Sequence, residues 1–250
     1  MAKQKLLLVD GSSLAFRAFF SILDLNRFKN SNGLHTNALY SFHRMFKSIL
    51  DSEKPTHVLV AWDAGKTTFR TEMYADYKGG RSKTPGEFIE QMPYFNVLLD
   101  AWGIPHYRLN QYEADDIIGT LARKGEEAGY EVVVLSGDKD LIQLADNNIT
   151  VKITTKGVTE LVEYTPEVIF EKYGLTPEQI IDMKGLMGDS SDNYPGVTKV
   201  GEKTAVKLLQ EFGSVEGIYE HVDEMKKSKL KENLINDKEL DRKSTRLNSS

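Results

Sequence analysis

The chain has 250 residues, 40% of them hydrophobic and 28% charged, with a formal net charge of −5 at pH 7 and no cysteine. That length and composition suit one large α/β domain with an appended helical subdomain and a sizeable core. Disulfides, thiolate zinc sites and a cysteine nucleophile are excluded, and a reducing compartment is compatible with their absence.

Residues 5–10 (KLLLVD) read as a buried strand. Their apolar run stops at Asp10, too early for a signal peptide, and no later run reaches the length of a membrane span. A helical pattern follows over residues 41–50. Residues 56–63 (THVLVAWD) form a second short run of strand type. The segment 66–87 is different: polar, broken by Gly79, Gly80, Pro85 and Gly86, and long for a connection in a compact domain. Between Ala64 and Thr84 it carries five basic residues, Lys66, Arg70, Lys78, Arg81 and Lys83, against two acids, Glu72 and Asp76. Helical patterns return over residues 93–102 and 114–128, and residues 131–138 (EVVVLSGD) read as a third strand. Strands alternating with helices predict a mainly parallel sheet covered on both faces. Residues 149–153 and 158–162 are expected to be further short strands paired around residues 155–157. Thr176 and Pro177 open a helix reaching about Met187. A glycine-rich turn and a helix over residues 202–212 follow. The last ten residues, DRKSTRLNSS, lack apolar periodicity and are expected to be a disordered or foreign tail. The expected organisation is an α/β core over 1–175, including the loop region 64–92, and a helical subdomain over 176–240.

All three confident strands end in aspartate: Asp10, Asp63 and Asp138. The carboxyl ends of parallel strands share one edge, where ligands bind, so three acids distant in sequence should converge. Glu113, Asp115 and Asp116 open a helix, Asp140 follows Asp138, and Asp189 and Asp192 lie in GDSSDN. Any one of these acids alone fits a turn former or helix cap equally well. Together they would repel and stay partly protonated unless cations joined them. Oxygen-only ligands favour magnesium or manganese, and so many acids suit a pair of ions. Two such ions would bring the net charge to about −1. A phosphoacceptor receiver domain also gathers strand-end aspartates, but in a shorter chain with fewer acids and no basic loop.

The segments LLLVDGSSLAFRAFF, VAWDAGKTTFR, YKGGRSKTP, YEADDIIGTLA, SGDKDLIQL and MKGLMGDSSDNYPGVTKVGEKTA, in this order, resemble the motifs of the 5′ nuclease domain of bacterial DNA polymerase I, within the flap endonuclease superfamily. The resemblance covers Lys5 to about Phe212 and continues more weakly to about Leu240. It implies a PIN-like α/β core with a helical arch and a helix-hairpin-helix subdomain. It implies a first metal held by Asp10, Asp63, Glu113 and Asp115, and a second held by Asp138, Asp140, Asp189 and Asp192. Asp115 lies near both, and Asp116 belongs to the same acidic motif. The ions are expected to be Mg²⁺ or Mn²⁺.

The resemblance makes the basic segment an arch around a single-stranded 5′ end, with Lys78 and Arg81 steering the scissile phosphate. Asp115 and Asp138 stand with them at the chemical step. Tyr77 is expected to stack on a base, and Arg17, Arg70 and Lys83 to contact phosphates. GVTKVG, entering a helix at Glu202, resembles a helix-hairpin-helix turn: Gly196 and Gly201 permit tight turns, Lys199 and Lys203 add charge, and backbone N–H groups hold a phosphate. In the family such a turn often carries K⁺. The histidines share no metal-ligand spacing, and Trp62 reads as core.

The expected activity is two-metal hydrolysis of 5′ flaps and of RNA primer ends on DNA, in a bacterial cytoplasm beside the nucleoid. A polymerase domain on the same full-length chain is the expected partner, with no membrane involved. A non-catalytic DNA-junction module and a PIN-type ribonuclease are the rivals. The intact acidic set weighs against the first, and the arch and hairpin regions against the second.

Overall fold

The computed structural model describes residues 4–65, 67–80, 83–155 and 160–248. Arg81, expected in the arch, lies outside them, as does Lys66. In chain order the elements are β1 (Lys5–Asp10), α1 (Gly11–Phe20), α2 (Asn37–Glu53), β2 (His57–Trp62), α3 (Phe69–Met73), α4 (Gly86–Ile89), α5 (Met92–Ala101), β3 (His106–Arg108), α6 (Ala114–Glu127), β4 (Glu131–Ser136), β5 (Ile149–Thr154), β6 (Leu161–Tyr164), α7 (Pro166–Tyr173), α8 (Pro177–Met187), β7 (Gly188–Asp189), β8 (Tyr194–Pro195), α9 (Glu202–Phe212), α10 (Val215–His221) and α11 (Lys229–Asn248).

Among the described residues β1–β6 form one sheet in the order β3-β2-β1-β4-β5-β6. β1 pairs in parallel with β2 and β4, β2 with β3, and β4 with β5, while β6 runs antiparallel to β5. The chain builds outward from β1 through β2 and β3, then returns to β4 on the other side. This reversal opens a crevice at the carboxyl ends of β1 and β4, the usual ligand position in such sheets.

Alternation along the central strands sorts their side chains onto two cores. Leu7, Val9, Val60, Trp62, Val133 and Leu135 pack with α1, α2 and α5 on one face. Leu8, Ala61, Val132 and Val134 pack with α6 on the other, and that core runs on without a break into Ile180, Met183 and Leu186 of α8, Leu208 of α9 and Ile218 of α10. The helical subdomain therefore shares its interior with the sheet, which fixes β7 and the acids of GDSSDN against the strand ends.

Two expectations need correction. The strand foreseen over 158–162 is β6, Leu161–Tyr164, paired with β5; residues 156–159 lie outside the described set. The tail foreseen as disordered continues α11 to Asn248. Asp241, Ser244 and Leu247 are buried there. Their spacing of three makes one helical stripe, and small Ser244 and Thr245 let α11 approach α8, with Ser244 donating to the carbonyl of Pro195. The stripe is mostly polar, so hydrophobic periodicity did not register it.

Candidate metal centre

β1 ends on Asp10, which also caps α1: Asp10 Oδ1 accepts from Ser13 N at 2.9 Å. Its other oxygen accepts from Ser136 Oγ at 2.6 Å, across the crevice from the end of β4. Ser136 Oγ in turn accepts from Asp138 N at 3.0 Å, and Asp138 Oδ1 accepts from Asp140 N at 2.9 Å. Asp63 follows β2; its Oδ1 accepts from Ala114 N at 2.8 Å, and its backbone N–H donates to Ser12 Oγ at 3.0 Å. Thus the three strand-end aspartates, Ser12, Ser13 and Ser136, and the start of α6 form one hydrogen-bonded rim.

The charges feel one another across that rim. Burial, then the neighbouring Asp63 and, more weakly, Asp138, push the Asp10 carboxyl up from 3.8 to about 7, against the bonds from Ser136 and Ser13. Burial followed by Asp10, Asp138 and Asp63 holds Asp115 well above the ordinary carboxylate range, with Lys78 opposing. Asp140 rises to about 6 through burial and Asp138. Burial also works against Asp189, but Lys184 and Ser191 hold it down to about 2. Asp10, Asp63, Asp115 and Asp138, from separate segments, therefore share one electrostatic site, to which Asp138 links Asp140.

The arch limb lies on this site. Lys78 N donates to Asp192 O at 2.8 Å, and Asn193 Nδ2 to Asp76 O at 2.8 Å. Lys78 Nζ meets Glu113 Oε2 at 2.7 Å. Tyr77 is buried, its hydroxyl 3.2 Å from both Glu113 Oε2 and Asp192 Oδ2, so the expected base-stacking role is corrected. Arg70 is also buried and is not a phosphate contact: its two terminal nitrogens each lie 2.8 Å from an oxygen of Asp116. Asp116 Oδ2 additionally accepts from Glu113 N at 2.9 Å. A bidentate, buried guanidinium is not readily displaced, and in this structure both Asp116 oxygens are engaged with Arg70 and the Glu113 backbone at the start of α6. Arg17 ties α1 to the sheet through Thr154 O at 2.7 Å and Thr155 O at 3.0 Å, an engagement its sequence position did not reveal. Lys83 is exposed.

On the far side, Lys184 of α8 bridges Asp140 Oδ1 and Asp189 Oδ2, each at 2.7 Å. Burial lowers the proton affinity of this lysine, but the two aspartates outweigh it and raise it. Sequence reasoning missed Lys184, because a lysine in a last helical turn reads as a solvated complement to the helix dipole. The signal was its place five residues before Asp189. A cleft of about 260 Å³, counting solvent at its mouth, is lined by Arg70, Tyr77, Glu113, Asp115, Asp140, Asp192 and Tyr194.

Among the described residues no group of three or more acids is already arranged to hold an ion. The cations explain this: Lys78 and Lys184 engage Glu113, Asp140 and Asp189. The donor set nevertheless fits a hard cation. It is all oxygen, and burial together with the neighbouring acids raises Asp10, Asp115 and Asp140 above the ordinary carboxylate range.

In the hairpin region Gly188 (φ 70°) and Gly196 cross so closely that a Cβ on either would strike the other's backbone nitrogen. Gly196 therefore serves backbone crossing as well as the turn. Gly201 caps α9, and Lys199 and Lys203 are exposed beside it. α11 braces the turn from behind: Thr198 N donates to Asp237 Oδ2 at 2.8 Å, and Asn233 Nδ2 to Thr198 O at 2.7 Å. No helix among the described residues is long and apolar enough to cross a membrane.

Comparison with known proteins agrees with this architecture. Residues 5–174 match the model of the 5′-3′ exonuclease N-terminal resolvase-like domain, and residues 175–249 that of the 5′-3′ exonuclease C-terminal SAM fold. The chain is 64% identical over 240 residues to DNA polymerase I of Streptococcus pneumoniae, covering 96% of this chain and 27% of that protein. It is 62% identical over 232 residues to DNA polymerase I of Bacillus subtilis, covering 93% and 26%. It thus spans about a quarter of these polymerases. Among solved structures, T5 5′-exonuclease with bound divalent zinc superposes with a TM-score of 0.78 at 26% identity, covering 98% of this chain and 89% of that one. The T5 D15 flap endonuclease in a pseudo-enzyme-product complex with DNA and metal ions gives 0.75 at 26% identity, covering 97% and 88%. The catalytic core of Rad2 shares the fold, with a TM-score of 0.58 at 18% identity over 94% and 74%. The chain belongs to the 5′-3′ exonuclease family.

Proposed function

We propose that this chain is a structure-specific 5′ nuclease that hydrolyses phosphodiester bonds in 5′-flap DNA and at RNA primer ends annealed to DNA, in replication and repair. The observation that carries the reading is the convergence of strand-end acids at the β1–β4 crevice, where Ser136 links Asp10 to Asp138 and Asp63 holds the start of α6, the helix that carries Asp115. Asp10, Asp63, Glu113 and Asp115 would hold one Mg²⁺ or Mn²⁺ ion, and Asp138, Asp140, Asp189 and Asp192 the other. Such a pair supplies an activated water and positive charge at the phosphate oxygens. Lys78, whose ammonium meets Glu113, and Arg81 steer the scissile phosphate and offset its developing charge. Lys83 adds charge along the arch. Gly196, Lys199, Gly201 and Lys203 grip the duplex backbone, with K⁺ at the turn.

The identity to bacterial polymerases supports a cytoplasmic protein working on the nucleoid, with a polymerase domain following on the full-length chain. A 5′-labelled DNA flap incubated with Mg²⁺ or EDTA tests the reading. Cleavage with Mg²⁺ alone, leaving 5′-phosphate and 3′-hydroxyl ends, is expected. Binding without cleavage would favour a junction module, and cleavage restricted to RNA flaps would favour a PIN-type ribonuclease.

A further inference from the structure

Lys184 is the cation the two-ion reading did not require. Its ammonium stands between Asp140, on the turn after β4, and Asp189, in β7, at 2.7 Å from one oxygen of each. Both carboxylates are largely shielded, with 14% side-chain exposure each, and the lysine side chain is 17% exposed. At Asp140 the contact described for Oδ1 is this ammonium, a charge-assisted one at hydrogen-bond distance. Asp189 differs: its other oxygen accepts from Ser191 N at 2.7 Å and from Ser191 Oγ at 2.5 Å.

We infer that Lys184 is a positioning residue that stands in for the second divalent ion in the DNA-free protein, so that this ion binds weakly until the ammonium is displaced. The inference rests on the two-ion reading above. A divalent cation drawing on the same oxygens would sit about 2.0–2.1 Å from them, as Mg²⁺ does. It would then lie within a few ångströms of a fixed positive charge. One unit charge already offsets the repulsion between Asp140 and Asp189, so the gain left for an incoming ion is small. The lysine differs from an arginine at this point. It is a point charge on a flexible stem and can swing away, whereas a forked guanidinium would lock both carboxylates. A phosphodiester entering the cleft adds negative charge and shifts the competition toward the divalent ion. The second ion is therefore loaded chiefly with substrate, and Lys184 sets that coupling.

The contrast with Lys78 sharpens the assignment. The Lys78 ammonium pairs with Glu113 from the arch limb, which the substrate must move past. Lys184 pairs from α8, whose buried face belongs to the shared core, so only its side chain has to move.

Mn²⁺ binding to the DNA-free chain, followed by calorimetry and by the electron paramagnetic resonance of free Mn²⁺, tests this without reference to activity. The wild-type chain should show one strong and one weak class of site. Lys184→Met, similar in length and uncharged, should tighten the weak class at least roughly ten-fold, about 1.4 kcal/mol, while Lys184→Arg leaves it weak. An unchanged or weaker second class in Lys184→Met overturns the inference. A wild-type measurement covers the case in which the variant fails to fold: acylation of Lys184, read by mass spectrometry, should rise several-fold on adding Mn²⁺ to EDTA-treated protein. No rise overturns it equally. If the wild-type chain binds no Mn²⁺ at all, the two-ion reading itself falls, a result separate from either of these.

Discussion

The electrostatic strain at the strand ends has a consequence for stability that can be measured without any substrate. Asp10 is buried and its carboxyl sits at about 7, against 3.8 in an exposed chain; Asp140 sits at about 6. A group raised on folding stabilises the protein when protonated, and that stability is lost as pH rises through the folded value. Two pH units separate pH 5 from the Asp10 value, so Asp10 alone favours the fold by about 2–3 kcal/mol at pH 5 over pH 8. Asp140 contributes less, and coupled sites do not add in full, so the cluster contributes about 3 kcal/mol. For a chain of this size that corresponds to a midpoint about 6–12 °C lower at pH 8 than at pH 5. Asp189 works in the opposite sense, but its value of about 2 puts its loss far below this window. Thermal melts in EDTA across pH 5–8 measure the slope. Asp241, at about 6 and remote from the strand ends, adds a slope of the same sign that divalent ions do not touch. Two controls therefore isolate the cluster. Saturating Mg²⁺ should flatten or reverse its share, because ions bind ionised carboxylates more strongly as pH rises, and Asp10→Asn should remove most of the Asp10 share. A midpoint in EDTA that stays level or climbs with pH, or a slope indifferent to both Mg²⁺ and Asp10→Asn, would refute the coupling.

Other perturbations probe single contacts. Asp138→Asn should abolish flap cleavage and leave DNA binding nearly intact, read by gel assay beside fluorescence anisotropy; full cleavage would contradict the two-ion mechanism. Arg70→Met leaves the partly buried Asp116 carboxylate without its buried guanidinium partner and should cost about 3–5 kcal/mol in urea melts; a loss below 1 kcal/mol would mean that Arg70 is not buried as described. Tyr77→Phe keeps the ring but removes the hydroxyl between Glu113 and Asp192, and should lower stability by about 1–3 kcal/mol, whereas a base-stacking tyrosine would tolerate it. Gly196→Ala forces a Cβ against the Gly188 backbone. It should destabilise the chain as well as weaken duplex binding, so normal stability with weak binding alone would argue against the crossing.

What the amino-acid sequence made legible follows from how each feature is encoded. The strand-end aspartates were readable because a hydrophobic run and the acid that closes it are neighbours in sequence, and parallel-sheet topology then brings distant ends together. Ser12, Ser13 and Ser136 sit beside those same acids in DGSS and SGD, yet their role stays hidden until β1 and β4 are placed side by side. Arg70, Tyr77 and Lys184 were misread or missed for a different reason. A charged or phenolic side chain in a polar segment carries the same local signal whether it faces solvent, DNA or a buried carboxylate. Only tertiary contact decides, since burial of such a group is tolerated when a partner of opposite charge or a hydrogen bond offsets desolvation. An abundance of acids is itself the clue: carboxylates brought close together cannot fold there without counter-charge. Basic side chains near them in the fold are therefore better assigned first to the acids and only afterwards to a phosphate. Applied to Arg70 and Lys184 that rule gives the observed pairings.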